Sequence, residues 1–188
     1  MKKLIWFLIA VFVFGGGIEL FLWMRYKKYS DHSCLTKLRI VNVLDEALFK
    51  DAHIKSVPGV ESINVPFEKV KEVAQSWQRD IPVVFYCSNY MCMASGDSVK
   101  TLAEMGFKTV KAYEGGMAEW YQLGHTDSLY QTEGDARLDY LKYEAKAPED
   151  KKDYVVSAQE LQKMIKQASL LSEANNGACS CRSCGCVA

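Results

Sequence analysis

The chain has 188 residues, with 23 basic and 23 acidic side chains that give a formal net charge of zero. This balance argues against an electrostatic nucleic-acid binder, which normally carries a basic surplus, and the apolar fraction of 49% excludes a mostly disordered chain. The seven cysteines are an odd number, so they cannot all pair within one chain.

The N-terminus carries a long apolar segment at residues 4–24, interrupted only by three glycines and Glu19. A helix of this length would rise about 30 Å, enough to cross the hydrocarbon core of a bilayer. We therefore expect residues 1–28 to form an uncleaved, single-pass transmembrane anchor, with a cleaved signal peptide as the alternative. The basic residues on the two sides are nearly balanced and leave the orientation open. The very short N-terminal tail favours a periplasmic or other extracytoplasmic location for the rest of the chain.

Short apolar runs alternate with helical patterns from about residue 36 to 124. The runs predict strands at 39–44, 61–65, 82–86 and 108–113, and the patterns between them predict helices at 45–52, 67–77, 95–105 and 117–123. This alternation predicts an α/β domain with an open parallel sheet flanked by helices. The run at 82–86 (PVVFY) is continuously apolar, which is typical of a central strand buried on both faces.

The chain changes character after residue 124. Residues 125–175 form a polar extension, in which the capping box from Ser157 to Glu160 predicts a helix at about 158–171. Residues 176–188 form a cysteine-rich tail without apolar periodicity, and we expect this end of the chain to be disordered.

Cys87 directly follows the predicted central strand and precedes a helix. Open α/β folds bind their ligands at this carboxyl edge of the sheet. Backbone N–H groups in such a turn can lower the pKa of a thiol. A thiolate there is a nucleophile that can hold a transferred sulfur as a persulfide. The alternative is a buried cysteine that acts as a small apolar residue.

Five segments around this position together resemble the rhodanese-like domain family over about residues 36–124. In order, they are AHI (52–54), SINVP (62–66), VVFYC (83–87), EMGF (104–107) and YEGGMAEW (113–120). The resemblance implies a sulfurtransferase fold with Cys87 as the sulfur-accepting catalytic residue. It also implies that the following loop forms the substrate pocket, with the residues Ser88, Asn89, Tyr90, Met91, Met93, Ala94 and Ser95.

The chain departs from the family pattern in three ways. The loop CSNYMCMAS holds no arginine or lysine. The distance along the chain from Cys87 to Gly106 is about two residues longer than in the commonest form of the family, and Asn42-Val43-Leu44 replaces an Asp-x-Arg motif. A loop without cations should bind thiosulfate poorly, so polysulfide or persulfide is the expected small sulfur donor and a thiol the acceptor. Met93 stands where related phosphatases have an arginine, which argues against phosphatase or arsenate reductase chemistry.

Cys92 lies five residues after Cys87 in the same loop. It could be a resolving thiol that converts a persulfide or sulfenate on Cys87 into a disulfide. It could equally be a thiol without a role in the mechanism. The choice depends on whether the loop brings the two sulfurs together.

The tail holds four closely spaced cysteines, Cys179, Cys181, Cys184 and Cys186. Four thiolates can bind Zn²⁺ or Cu(I), but they could also form a mobile thiol arm or an inert terminus. The domain itself requires no cofactor. Our main hypothesis is a membrane-anchored sulfurtransferase with no nucleic-acid partner. The alternatives are a non-catalytic scaffold with a metal- or thiol-carrying tail, or a thiol–disulfide redox protein that uses Cys87 and Cys92.

Overall fold

A computed structural model describes residues 37–143, 147 and 152–180, with side chains described through residue 175. The predicted anchor at residues 1–28, Cys34 and the end of the tail lie outside these residues. Within the described part of the chain, no helix has the length and apolar character that crossing a membrane requires.

Strands and helices alternate along the described chain. The strands are β1 (Leu38–Asn42), β2 (His53–Ile54), β3 (Val60–Asn64), β4 (Val83–Tyr86), β5 (Val110–Tyr113) and β6 (Thr132–Glu133). The α-helices are α1 (Glu46–Asp51), α2 (Val70–Val73), α3 (Ala94–Glu104), α4 (Gly116–Gly124) and α5 (Ala158–Ser180). Three 3-10 turns lie at Phe67–Lys69, Ala74–Ser76 and Asp139–Lys142.

The main sheet has four parallel strands in the order β3-β1-β4-β5. Strands β2 and β6 form a separate, short antiparallel pair. The parallel sheet and its flanking helices confirm the predicted α/β class. The helix expected at residues 67–77 is instead a succession of 3-10, α and 3-10 turns. Its α-helical part is only four residues long, and helices this short are marginally stable by themselves.

The core lies on both faces of the sheet, since successive side chains of a strand point to opposite sides. Val84 and Tyr86 of β4 pack with Trp120 of α4 on one face. Val83 and Phe85 pack on the other face with apolar side chains of α2 and α3. All four residues of β4 are buried, which confirms the prediction of a central strand.

The polar extension is part of this core and is not an appendage. Ala112 of β5 exchanges two backbone hydrogen bonds of 2.9 Å with Tyr154 and Val156, so this segment lies beside β5 as a short parallel edge. Helix α5 then covers the first face of the sheet with Leu161 and Ile165. This packing was not predicted from the sequence, because the few apolar residues of the segment are surrounded by many polar ones.

The start of α5 confirms the predicted capping box. The Ser157 hydroxyl accepts a hydrogen bond from the Glu160 N–H at 3.2 Å, and the Glu160 carboxylate accepts one from the Ser157 N–H at 2.8 Å. The end of the helix differs from the prediction. It continues to Ser180 instead of ending near residue 171, so the backbone of Cys179 is helical.

Candidate active site

Cys87 lies at the carboxyl end of β4, at the point where the strand order of the sheet reverses. The chain proceeds from β1 to β3 on one side and from β4 to β5 on the other, so β1 and β4 meet at the sheet centre. Open parallel sheets form their ligand sites at such a switch point. The residue itself is fully buried, and the loop from Ser88 to Met93 extends from it to the start of α3.

The N-terminal turn of α4 fixes the start of this loop. The carbonyl oxygens of Cys87 and Ser88 accept hydrogen bonds of 2.9 Å from the N–H groups of Met117 and Ala118. Gly116 makes this approach possible. Its φ is +63°, and a Cβ at this position would lie 2.6 Å from the Cys87 oxygen. The glycine pair of the sequence motif therefore holds the loop against α4.

The Cys87 sulfur lies within a ring of groups from its own loop. It is 3.3 Å from the Cys92 carbonyl oxygen, 3.8 Å from the Asn89 carbonyl oxygen and 3.7 Å from the Ser95 hydroxyl. A tight turn brings Cys92 back to it, because the Cys92 N–H donates to the Asn89 carbonyl at 3.0 Å. Both thiols are free, and Cys92 packs against the same apolar cluster as Cys87. The loop therefore does bring the two cysteines together.

The two thiols shift each other's pKa in opposite directions. The Cys87 thiol donates a hydrogen bond to the Cys92 sulfur, which lowers the pKa of Cys92. Backbone N–H groups of Ala94 and Ser88 lower it further. The same hydrogen bond, together with burial, raises the pKa of Cys87. The sequence predicts a lowered pKa at Cys87. The structure corrects this expectation, because the hydrogen bond to Cys92 and burial raise the pKa of Cys87, and the lowered pKa belongs to its more exposed neighbour.

The other predicted pocket residues occupy different positions around this pair. Ser95 is buried against Cys87, and Ser88 and Ala94 contact Cys92. Met91 and Met93 point outward with 71% and 62% of their surface exposed. Asn89 and Tyr90 are half-buried, and the Asn89 side chain accepts a hydrogen bond from the Met91 N–H at 3.0 Å.

The surroundings of the loop are acidic. The Glu119 carboxylate of α4 accepts hydrogen bonds from the Tyr90 hydroxyl at 3.0 Å and the Tyr113 hydroxyl at 2.8 Å. Burial, followed by the nearby Glu119 charge, raises the pKa of both tyrosines. Glu114, which follows β5, is also buried and pairs with Lys152 at 2.9 Å. These carboxylates were not predicted from the sequence. They disfavour an anion at the loop.

The predicted metal site in the tail is not described. Cys181, Cys184 and Cys186 lie outside the described residues, and the side chain of Cys179 is not described either. In the described part of the chain, no three histidine, cysteine or acidic side chains come together as metal ligands.

The family model described as the rhodanese-like domain matches residues 26–123. A solved rhodanese-like domain from Anabaena sp. is 25% identical, with a TM-score of 0.42, and the match covers 51% of this chain and 98% of that one. A rhodanese with anions from E. coli is 26% identical, with a TM-score of 0.35 and coverage of 43% and 88%. The human single-domain sulfurtransferase is 14% identical, with a TM-score of 0.37 and coverage of 51% and 91%. None of the curated proteins matches the chain.

Proposed function

This chain belongs to the rhodanese-like domain family, and on that premise we propose that it is a sulfurtransferase that carries sulfane sulfur as a persulfide on Cys87 and passes it to a thiol acceptor. The observation that carries the proposal is the buried thiol of Cys87 at the switch point of the sheet, beside a second thiol of the same loop whose pKa is lowered.

The thiol pair supplies both a nucleophile and a base. As the donor approaches, the Cys92 thiolate takes the proton of Cys87, and the Cys87 thiolate attacks the sulfane sulfur of the donor. The donor's sulfur–sulfur bond breaks, its remaining thiolate departs, and Cys87 becomes a persulfide. An acceptor thiolate then attacks the outer sulfur and restores the Cys87 thiolate. The two half-reactions give ping-pong kinetics.

Charge at the loop favours a persulfide or polysulfide over thiosulfate as the donor. Residues 87–95 contain no basic side chain, and the Glu119 carboxylate lies beside the loop. A dianion such as thiosulfate would find no cationic side chain in the loop to bind it and would meet this carboxylate. The exposed thioethers of Met91 and Met93 offer a soft, apolar rim that suits a sulfur-rich donor or the surface of an acceptor protein.

Intact-mass spectrometry with peptide mapping tests this proposal. The full chain, with the five cysteines outside the loop replaced by serine, is incubated with glutathione persulfide and then alkylated. We expect sulfur uptake that Cys87→Ser abolishes, and a persulfide mapped to Cys87 in the matched variant Cys92→Ser. Uptake that persists in Cys87→Ser would contradict the assignment of Cys87. No sulfur on Cys87 in Cys92→Ser, together with no disulfide between Cys87 and Cys92 in the unsubstituted loop, would favour the scaffold hypothesis.

We also propose that residues 1–28 anchor the protein in a membrane, with the domain on the extracytoplasmic side. The support is the apolar segment at residues 4–24 and its short preceding tail. Alkaline carbonate extraction of membranes tests the anchor, and C-terminal reporter fusions test the side. Release into the soluble fraction would contradict the anchor, and a reporter active only in the cytoplasm would contradict the orientation.

A further inference from the structure

The loop places a second sulfur where it can react with the first. The turn from Asn89 to Cys92 folds the chain back on itself, so that the Cys92 backbone is in contact with the Cys87 sulfur at 3.3 Å. Ser88 and Ala94 direct backbone N–H groups at the Cys92 sulfur, which thus lies between the start and the end of the loop. A persulfide on Cys87 would form next to Cys92, which is again a thiolate once the proton that it took from Cys87 has passed to the departing thiolate of the donor.

We propose that Cys92 resolves the Cys87 persulfide, so that the domain reduces sulfane sulfur and releases it as hydrosulfide. This inference rests on the proposed function, since it begins from the persulfide on Cys87. It gives the domain a second outcome besides transfer to an acceptor thiol. The sulfane sulfur leaves as free hydrosulfide, and the loop holds a disulfide between Cys87 and Cys92.

The step balances without an external oxidant. The Cys92 thiolate attacks the inner sulfur of the persulfide, the bond between the inner and outer sulfurs breaks, and the outer sulfur departs as HS⁻. Two electrons pass from the two cysteine sulfurs to the sulfane sulfur, which becomes sulfide. To start a second cycle, two equivalents of a low-molecular-weight thiol reduce the disulfide and become a disulfide themselves.

Three features of the loop favour resolution by Cys92. The backbone N–H groups of Ala94 and Ser88 lower the pKa of Cys92 and still do so after the Cys87 thiol has become a persulfide, which favours the attacking thiolate. Cys92 is partly exposed, whereas Cys87 is fully buried, so an external thiol reaches the Cys87 persulfide less readily than Cys92 does. Met91 and Met93 flank Cys92 and are largely exposed, so the backbone at Cys92 can shift towards Cys87 without displacing core side chains.

A single-turnover experiment tests the proposal. The full chain, with the five cysteines outside the loop replaced by serine, is mixed with one equivalent of glutathione persulfide, and a protein-free sample gives the sulfide that this donor releases by itself, which is subtracted. Acid quenching at timed intervals is followed by sulfide measurement with monobromobimane and by disulfide mapping. We expect about one sulfide per chain and a disulfide between Cys87 and Cys92. Cys92→Ser lacks the base and takes up sulfur more slowly, so its sulfide release is timed from the persulfide once formed. We expect that persulfide on Cys87 to last and to release sulfide at least about 100-fold more slowly, because the attack is no longer intramolecular.

The variants separate failure of the inference from failure of the proposed function. A Cys87 persulfide that lasts as long with Cys92 present as in Cys92→Ser, without a disulfide, would overturn the inference and leave the sulfurtransferase intact. No sulfur on Cys87 in either protein would overturn both. Cys92→Ala, checked for folding by near-ultraviolet circular dichroism, serves as a second variant in case serine disturbs the loop.

Discussion

The contact between Gly116 and the reactive loop gives a quantitative prediction. A methyl group at this position would lie 2.6–2.8 Å from backbone atoms of Cys87, Ser88 and Asn89. In addition, the φ of +63° costs a residue with a Cβ about 1–2 kcal/mol. Overpacking against backbone that cannot rotate away adds about 1–3 kcal/mol. Gly116→Ala should therefore lower the free energy of unfolding by about 2–5 kcal/mol, a large share of the ~5–15 kcal/mol typical of a domain.

Gly106 provides the matched control. It has a similar φ of +84°, but a Cβ there would meet no atom within 4 Å. Gly106→Ala should therefore cost only the conformational part, about 1–2 kcal/mol. Urea unfolding of the full chain, followed by near-ultraviolet circular dichroism, gives both values. Sulfur uptake by Cys87 should slow in Gly116→Ala and stay unchanged in Gly106→Ala. Equal destabilisation by the two substitutions would refute the argument from close approach.

Three further predictions concern the thiol pair and the extension. Alkylation of Cys92 by iodoacetamide should rise with pH through a midpoint of about 6. In Cys87→Ala the midpoint should move up towards the ordinary thiol value of about 8.5, because the hydrogen-bond donor to the Cys92 sulfur is lost. A midpoint of about 8.5 in the protein that retains Cys87 would contradict the lowered pKa of Cys92. Leu161→Ala should cost about 2–5 kcal/mol in urea unfolding, because this leucine of α5 is fully buried. Leu170→Ala, at 56% exposure, should change stability by less than about 0.5 kcal/mol, and equal effects would contradict a core role for α5. Lys152→Met should lower the melting temperature and cost about 1–3 kcal/mol, because it leaves a buried carboxylate unpaired; an unchanged melting temperature would contradict this role.

The elements of the parallel sheet could be predicted from the sequence because their signals are local. Residues 82–86 are continuously apolar, and only a strand buried on both faces requires such a run. The capping box at Ser157 is likewise local, since its two partners are three residues apart. The packing of the extension against the sheet could not be predicted, because the contacts that it makes are not local. Leu161 and Ile165 of α5 contact strands that are distant in the chain, and nothing in their immediate neighbours indicates that pairing.

The sequence by itself determined the α/β class, the family resemblance and the position of Cys87 at the end of a central strand. These depend on apolar periodicity and short motifs, which neighbouring residues define. Only the tertiary structure decided which thiol has the lowered pKa. That outcome depends on the turn that returns Cys92 to Cys87 and on the deeper burial of Cys87. The effect of one thiol on the pKa of the other falls off steeply with the distance between the two sulfurs and depends on the local dielectric. The spacing of the two cysteines in the sequence specifies neither quantity.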